Sequence, residues 1–293
     1  MIDYSSDRRL DIIFSYNGTV LPRVSQYASV MVIWSLLLLE FFHLSGIKFE
    51  LSSQAHSIVG VALGLLLVFR TNTSYDRYWE GRKQLGALCF AARNLISMAN
   101  AVIPRSEREH RQEVGMLLAA FIRALRDDLR ESITMESLGP MNDALHKRLS
   151  QHSNKLNGLL SMLNDDLRLG VRKRWMHPSE FVPLVTFIGD LQAATHALRR
   201  IRFTPLPFAY VNQLKVFMAI YFLTLPLVLI PQFGYMTLII MAFIVYALVG
   251  VEEIGIEIED PFGDDPNDLP VIGLTDGVLK DIQDVLERPA EEA

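Results

Sequence analysis

Four strongly apolar blocks interrupt an otherwise charge-rich chain of 293 residues, at about residues 27–44, 55–69, 216–230 and 235–251. The first block holds one charge, Glu40, near its far end. A helix needs about 20 residues to span a bilayer core, slightly more than each block offers without its flanks. Any single block could also be a buried helix of a large soluble protein. Because the blocks come as two pairs with charged flanks, we predict four transmembrane helices.

Basic residues are concentrated on one side of these predicted helices. They precede the first block, follow the second and precede the third: Arg8, Arg9 and Arg23; Arg70, Arg77, Arg82 and Lys83; Arg199, Arg200, Arg202 and Lys215. The loop between the first two blocks has one lysine, and the loop between the last two has no basic residue. Since basic residues favour the cytoplasmic side, we predict that both termini and the long middle region are cytoplasmic.

The middle of the chain has the period of amphipathic helices. Ser106 and Glu109 have capping-box spacing before a helix whose apolar stripe comprises Val114, Leu117, Leu118, Phe121, Leu125 and Leu129. A second helix, at about 153–174, has a stripe of Leu156, Leu159, Leu160, Leu163 and Leu167. Further helices are predicted at about 179–202 and, in the tail, 275–287. Alternating strand patterns are confined to a few residues, so the sequence predicts an all-α fold.

These patterns divide the chain into four consecutive segments. Residues 1–69 contain the N-terminal segment and the first two spans, and residues 70–210 form a cytosolic helical bundle. Residues 211–255 contain the third and fourth spans, and residues 256–293 an acidic loop and the tail helix. We expect the membrane helices to be continuous with the bundle.

Composition and charge exclude several classes of function. Half of the residues are hydrophobic and the mean hydropathy is +0.23, although 21% of the residues are charged. A net charge of -5 offers no basic surplus for nucleic acid. A single cysteine, Cys89, excludes an internal disulfide and a multi-thiolate metal site, and we expect it to be a packing residue. The polar N-terminus lacks the features of a signal peptide, so the first apolar block should be retained.

Motifs for catalysis are missing, which favours a protein that is not an enzyme. The seven histidines are scattered, and none of them forms a close metal-binding pair. The sequence has no nucleophile elbow, Walker A motif or dinucleotide fingerprint. The aspartate pairs at 127–128 and 165–166 lie on amphipathic helices, where we expect them to be solvated.

The second apolar block carries two helical patterns. Gly60 and Gly64 form a G-x-x-x-G motif, which allows close helix packing within one subunit or between subunits. Another face has an uncharged stripe, formed by Ile58, Ala62, Leu66 and Phe69. Such a stripe can face lipid or a protein core, and it can also line a pore that closes by dewetting. The pattern alone leaves these alternatives open.

The fourth block ends in a strongly acidic segment. Its helix carries Glu252, Glu253, Glu257 and Glu259. Like charges at such spacings repel one another unless they are solvated or meet cations. The following loop carries Asp260, Asp264, Asp265 and Asp268. Their carboxylates suit Ca²⁺, but the spacing is not that of an EF-hand.

Three motifs occur in order along the chain: FRTNTSYDRYWEGRK at 69–83, TPLPFAY at 204–210 and EDPFGDDPND at 259–268. Together they resemble the bestrophin family, specifically its bacterial branch. The resemblance implies a homopentameric ion channel in a bacterial inner membrane, with four membrane helices and a cytosolic bundle per subunit around one axial pore. In the first motif it implies residues that anchor the membrane crossing and pack between subunits: Arg70, Asn72, Tyr75, Asp76 and Trp79.

The resemblance also implies two narrow points in the pore. A hydrophobic neck in the second helix would fall on Ile58, Ala62 and Leu66. Bulky apolar residues are usual there in the family, so Ala62 departs from the pattern. A second constriction, at the cytosolic mouth, would fall near Ser179 and Glu180.

Animal members of the family bind Ca²⁺ through an acidic clasp after the last membrane helix. The corresponding side chains here would be Glu257, Asp260, Asp265 and Asp268. Two of these positions differ in residue type from the clasp, and Pro266 interrupts the acidic run. Because the bacterial relatives resemble Ca²⁺-independent channels, we expect no cofactor and no activation by Ca²⁺.

The sequence gives opposing indications of whether the implied pore selects anions or cations. Five helix N-termini near Ser179 would present positive dipole ends and favour anions. Rings of Glu180, and of Glu252 and Glu253 if these reach the pore, would favour cations. Since a carboxylate outweighs the roughly half charge of a helix end, the sequence favours sodium, with a chloride channel as the alternative.

Two other classes of function stay open. A membrane scaffold could dock a partner on its cytosolic bundle, and it would not require the closed ring of subunits that a pore requires. A membrane enzyme could hold a divalent metal at Glu257, Asp260 and Asp265, although this segment contains no histidine or lysine partner.

Overall fold

The structure, a computed structural model, describes residue 15 and residues 18–47, 52–130 and 133–287. All regular secondary structure in these ranges is helical, which confirms the predicted all-α class for this part of the chain. The α-helices are α1 (Leu21–Ser45), α2 (Ser53–Val102), α3 (Arg108–Arg130), α4 (Asp143–Ser150), α5 (Lys155–Arg172), α6 (Pro178–Phe203), α7 (Phe208–Phe233), α8 (Thr237–Glu259) and α9 (Val271–Glu287). Arg8, Arg9 and Lys48, which entered the predicted orientation, lie outside the described residues.

The chain divides into two compact units. The first comprises Met1–Tyr78 with Pro205–Asp268, and the second comprises Trp79–Thr204 with Leu269–Ala293. The division falls within α2. The acidic loop therefore belongs to the first unit and α9 to the second, although the sequence places them in one segment.

The first unit has an apolar core built from four helices. Within it α1 packs along α8, and α7 contacts both. The core includes Val24, Leu63, Leu67, Leu214, Met218, Phe222, Met241 and Val245. Large apolar side chains also cover the outside of α1 and α8, where Val30, Ile33, Leu37, Ile239 and Phe243 are more than half exposed. Such a surface suits contact with lipid.

Three helical stretches of the described residues are long and apolar enough to cross a membrane: Leu21–Ser45, Ser53–Val102 and Pro178–Glu259. The third stretch includes α6, α7 and α8, so it does not separate the predicted third and fourth spans. The first ends at Gly46, whose φ of 67° is left-handed and whose N–H donates to the Phe42 carbonyl oxygen. Glycine adopts this conformation at no steric cost.

The second unit contains the helices predicted for the middle of the chain. In it α3 packs against α5 and α9, and α5 also packs against α6. Every residue of the two predicted apolar stripes, on α3 and α5, is buried. The sequence did not predict α4, because its eight residues, capped by the Asn142 side chain, are too short to display a period.

Two of the paired aspartates are less solvated than predicted. Asp166 is buried beside Arg148, at 3.2 Å. Asp128 accepts a hydrogen bond from Arg199 at 3.0 Å, and burial raises the pKa of its carboxyl group. The prediction is wrong for these residues because each meets an arginine from another helix, which the period of one helix cannot reveal. Cys89 is buried, as expected for a packing residue.

Gly170 is needed where α5 ends. Its carbonyl oxygen accepts hydrogen bonds from the N–H groups of Trp175 and Met176, and a Cβ at this position would lie 2.6 Å from the Trp175 ring. We expect Gly170→Ala to lower the free energy of unfolding by about 1–3 kcal/mol, because the rigid indole ring of Trp175 cannot easily move away from the added methyl group. Thermal unfolding measures this effect.

The matched control is Gly189→Ala on the exposed side of α6, where a Cβ would meet no atom within 4 Å. This variant should gain up to about 1 kcal/mol of helix stability. Equal effects of the two substitutions would contradict the assignment of a steric role to Gly170.

Candidate functional site

The first half of α2 has one buried and one exposed apolar face. Leu63 and Leu67 are fully buried in the core of the first unit. Val61, Leu65 and Phe69, spaced four residues apart, are 75%, 55% and 54% exposed. The exposed side of α2 is therefore a continuous apolar strip that the rest of the chain leaves uncovered.

The structure divides the predicted neck residues between these faces. Ile58 and Ala62 are exposed. Leu66 is half-buried against the core, and its carbonyl oxygen accepts a hydrogen bond from the Tyr210 hydroxyl. The predicted stripe at Ile58, Ala62 and Leu66 therefore does not lie on one uncovered face.

The two glycines of the G-x-x-x-G motif have different surroundings. A Cβ on Gly60 would lie 2.8 Å from the Tyr221 hydroxyl oxygen of α7, whereas a Cβ on Gly64 would meet no atom within 4 Å. Of the two interpretations of the motif, close packing within one subunit thus describes Gly60.

A buried charge cluster lies at the end of this strip, one residue past Phe69. Arg70 is 1% exposed. Its guanidinium lies 2.9 Å from Glu252 and 3.5 Å from Glu259, both on α8. Lys215 of α7 approaches the same Glu252 oxygen at 3.5 Å. We call Arg70, Lys215, Glu252 and Glu259 the Arg70 cluster.

The predicted acidic rings of Glu252 and Glu253 do not form free carboxylates. Both side chains are buried, and Arg23 of α1 lies 3.7 Å from Glu253. The acidic run on α8 is thus met by cations from three other helices, Arg23, Arg70 and Lys215. The spacing of these carboxylates indicates that they need cations or solvent, but it does not reveal partners so distant along the chain.

The other residues of the first motif are spread over α2. Asn72, Tyr75, Asp76 and Trp79 are exposed. The adjacent residues Arg77 and Tyr78, which are not among the predicted interface residues, donate to the backbone carbonyls of Glu259 and Asn267. Only Arg70 of the predicted set joins the buried cluster.

The acidic loop is organised by partners that were also not predicted. Asn267 donates to Glu257 at 2.7 Å and to the Gly18 carbonyl at 2.9 Å. Arg23 lies 3.5 Å from Asp265, and Asp260 is exposed. Among the described residues, no three metal-binding side chains converge as a metal site would require.

Asp268 occupies an unusual place in this loop. It is 4% exposed, and one carboxylate oxygen accepts the Asp265 N–H at 2.7 Å while the other has no hydrogen-bond partner. Burial, opposed by that hydrogen bond and reinforced by neighbouring carboxylates, raises the pKa of Asp268 to about 6.

Ser179 and Glu180 lie at the N-terminus of α6. The Glu180 carboxylate accepts the His177 backbone N–H at 2.7 Å, and the His177 ring accepts the Ser179 N–H in return, which forms a capping box. Glu180 is exposed, but one of its oxygens is thus engaged by the helix terminus. The sequence located this terminus correctly and missed His177 as its cap.

Removing Arg70 should be costly. Arg70→Met would remove the buried cation that pairs with Glu252 and Glu259. We expect thermal unfolding experiments to show a free energy of unfolding lower by about 3–5 kcal/mol. The double variant Arg70→Met/Glu252→Gln should recover part of that loss. Arg93→Met, which breaks a half-exposed pair with Asp281 in the second unit, is the control and should cost less than about 1 kcal/mol. Similar losses for Arg70→Met and Arg93→Met would contradict the buried role of Arg70.

The raised pKa of Asp268 predicts a pH dependence. The buried site favours the protonated form of the Asp268 carboxyl group. The stability that this form contributes is present below the pKa of the unfolded chain and is lost as the pH rises through about 6. The stability of Asp268→Asn relative to the native chain should therefore grow between pH 4 and pH 7, by at most about 3 kcal/mol. Melting temperatures measured in EDTA test this, with the exposed Asp284→Asn as control. A relative stability of Asp268→Asn that stays constant with pH would contradict it.

Comparison with known proteins agrees with the three motifs. The family described as Bacterial/Fungal Bestrophin protein matches residues 1–284. A relative from Escherichia coli K12, the voltage-dependent anion channel-forming protein YneE, is 31% identical over 95% of this chain and 93% of its own length. A Nostoc protein also named a voltage-dependent anion channel-forming protein is 30% identical, over 94% and 90%.

Solved structures agree on the fold. The crystal structure of a bacterial bestrophin homolog from Klebsiella pneumoniae has a TM-score of 0.82 at 22% identity, covering 92% of this chain and all of that chain. The predicted resemblance is confirmed: the chain belongs to the bacterial and fungal bestrophin family.

Proposed function

We propose that this protein is a subunit of an ion channel of the bestrophin type that conducts small monovalent ions. The observation that carries the proposal is the family match over residues 1–284. It is supported by the names of the relatives, which describe channel-forming proteins, and by three stretches suited to cross a membrane. The proposed assembly is a homopentamer around one axial pore, with four membrane helices per subunit and both termini on the cytoplasmic side of a bacterial inner membrane.

The pore-lining element in this proposal is the exposed strip of α2. The neck predicted from the resemblance comprises Ile58, Ala62 and Leu66, but Leu66 packs toward the core. We therefore favour the adjacent register, Val61, Leu65 and Phe69, in which all three side chains are exposed. Five copies of this strip would enclose an apolar constriction of the kind that gates by dewetting.

The second constriction is proposed at the start of α6, with Ser179 and Glu180. There the Glu180 carboxylate binds the backbone of its own helix terminus. Its negative charge and the positive helix end offset each other locally, so neither creates a strong field alone.

For the ion, we propose that the channel prefers anions. The sequence favoured sodium because Glu180, together with Glu252 and Glu253 if these reach the pore, could form acidic rings. Glu252 and Glu253 are buried beside Arg23, Arg70 and Lys215, and Glu180 accepts a hydrogen bond from its own helix terminus. The relatives are named as anion channel-forming proteins, which gives the preference for sodium no support. With Glu252 and Glu253 paired to cations inside the subunit and the Glu180 charge offset by its helix end, cation selectivity loses its electrostatic basis.

Activity is proposed to be independent of Ca²⁺ and of any other cofactor. Glu257 is bound by Asn267, and one oxygen of Asp268 is bound by the loop backbone. Chelation of divalent ions should accordingly leave the flux unchanged. The alternatives of a scaffold or an enzyme have no specific observation in their favour.

Ion flux from liposomes tests the proposed function. Purified protein in vesicles loaded with chloride should accelerate chloride efflux, and the detergent-solubilised assembly should have the mass of five chains. Vesicles without protein provide the baseline. A normally folded, non-pentameric protein without chloride or sodium flux would contradict a channel and favour the scaffold.

The register of the neck can be tested with two adjacent leucines. Leu65→Ser should raise the flux several-fold, because a polar side chain in an apolar constriction makes wetting easier. Leu66→Ser, the matched control, should lower stability by about 1–2 kcal/mol through lost burial and should not raise the flux. The reverse pattern would restore the register at Ile58, Ala62 and Leu66.

A further inference from the structure

The first unit contains a cavity that does not involve α2. It has a volume of about 250 Å³ and lies among α1, α7 and α8. Its walls are largely apolar and include Met31, Met218, Phe222, Val245 and Val249. The volume equals that of about eight water molecules, but apolar walls offer water few hydrogen bonds. A chain of methylene groups suits this space better than water does.

One end of the cavity is charged. Lys215 and Glu252 line it there and lie 3.5 Å apart. Leu223 lies eight residues further along α7, about 12 Å away at the rise of a helix. The cavity is therefore elongated, with a charged end and an apolar body, which is the shape of an amphiphile.

The half-exposed cation at this end, Lys215, can bind an anionic occupant. Arg70, which is buried, binds the same Glu252 oxygen at 2.9 Å, closer than Lys215 does. Because Arg70 also binds Glu259, the two cations of the Arg70 cluster balance its two carboxylates. Lys215 is nevertheless the more distant partner of Glu252, and its side chain is half exposed. An ammonium group has three donors, so it can bind a phosphate while it stays near Glu252.

We propose that this cavity binds one acyl chain of an anionic phospholipid, whose phosphate is held by Lys215. The predicted orientation puts Lys215 at the cytoplasmic interface, where basic sites between membrane helices bind acidic headgroups. The site is separate from the proposed pore, since none of its lining residues belongs to α2. It would make the first unit sensitive to the lipid composition of the inner leaflet.

Native mass spectrometry of the full-length protein tests this site. The protein is extracted from vesicles with equal amounts of phosphatidylglycerol, which is anionic, and phosphatidylethanolamine, which is zwitterionic. We expect about one phosphatidylglycerol retained per chain, in preference to phosphatidylethanolamine. Lys215→Gln should weaken this binding on the order of fivefold, whereas Lys215→Arg should retain it.

A second variant tests the cavity itself. Ala219 lines it, and Ala219→Leu should fill the space and reduce the retention of both lipids. Lys83→Gln, at an exposed pair in the second unit, is the control and should behave as the native chain. An unchanged oligomer mass and melting temperature establish that each variant is folded, and Lys215→Arg and Ala219→Leu remain decisive if Lys215→Gln is not.

Three results would overturn the proposal. Equal retention of the two lipids would mean ordinary contact with the bilayer, and retention that survives both Lys215→Gln and Ala219→Leu would place the lipid elsewhere. A folded native assembly that retains no phospholipid, or only a free fatty acid identified by mass, would mean that another group fills the cavity.

Discussion

The burial of Arg70 constrains the first unit more than any other single contact. A charged guanidinium with 1% exposure is tolerable only where carboxylates meet it, and Glu252 and Glu259 of α8 do so. Because Arg70 follows Phe69 directly, these ion pairs fix the rotation of α2 about its own axis. That rotation decides which apolar side chains enter the core and which stay exposed. A turn of the helix by one residue would move Arg70 away from both carboxylates and would change the composition of the exposed strip.

The same ion pairs govern the electrostatics of the site. Acidic residues at the end of α8 could give a membrane channel a negative pore, but only if they reach it with their charge intact. Arg23, Arg70 and Lys215 approach them from α1, α2 and α7. The cluster therefore serves packing within the chain, and Lys215, its most exposed member, also borders the cavity that we assign to a lipid.

Much of the fold could be predicted from local sequence, whereas the contacts that define the site could not. The apolar blocks and the stripes on α3 and α5 repeat with the period of a helix, so their burial follows from spacing alone. The partner of Arg70 is 182 residues away along the chain, and no local period encodes it. For the same reason the sequence placed Leu66 on one stripe with Ile58 and Ala62, although Leu66 packs against the core, and it placed Asp128 and Asp166 on solvated faces. The cap at His177 was missed because histidine is an uncommon N-cap residue.

We propose that this bestrophin-family protein forms an anion-preferring channel in which Glu252 and Glu253 are paired with cations inside each subunit. The most direct test is the reversal potential of the purified protein in a planar bilayer, under a gradient of sodium chloride. For an anion-preferring channel we expect a reversal potential displaced toward the chloride equilibrium potential. A displacement toward the sodium equilibrium potential would contradict it and would mean that acidic groups outside the Arg70 cluster control the pore.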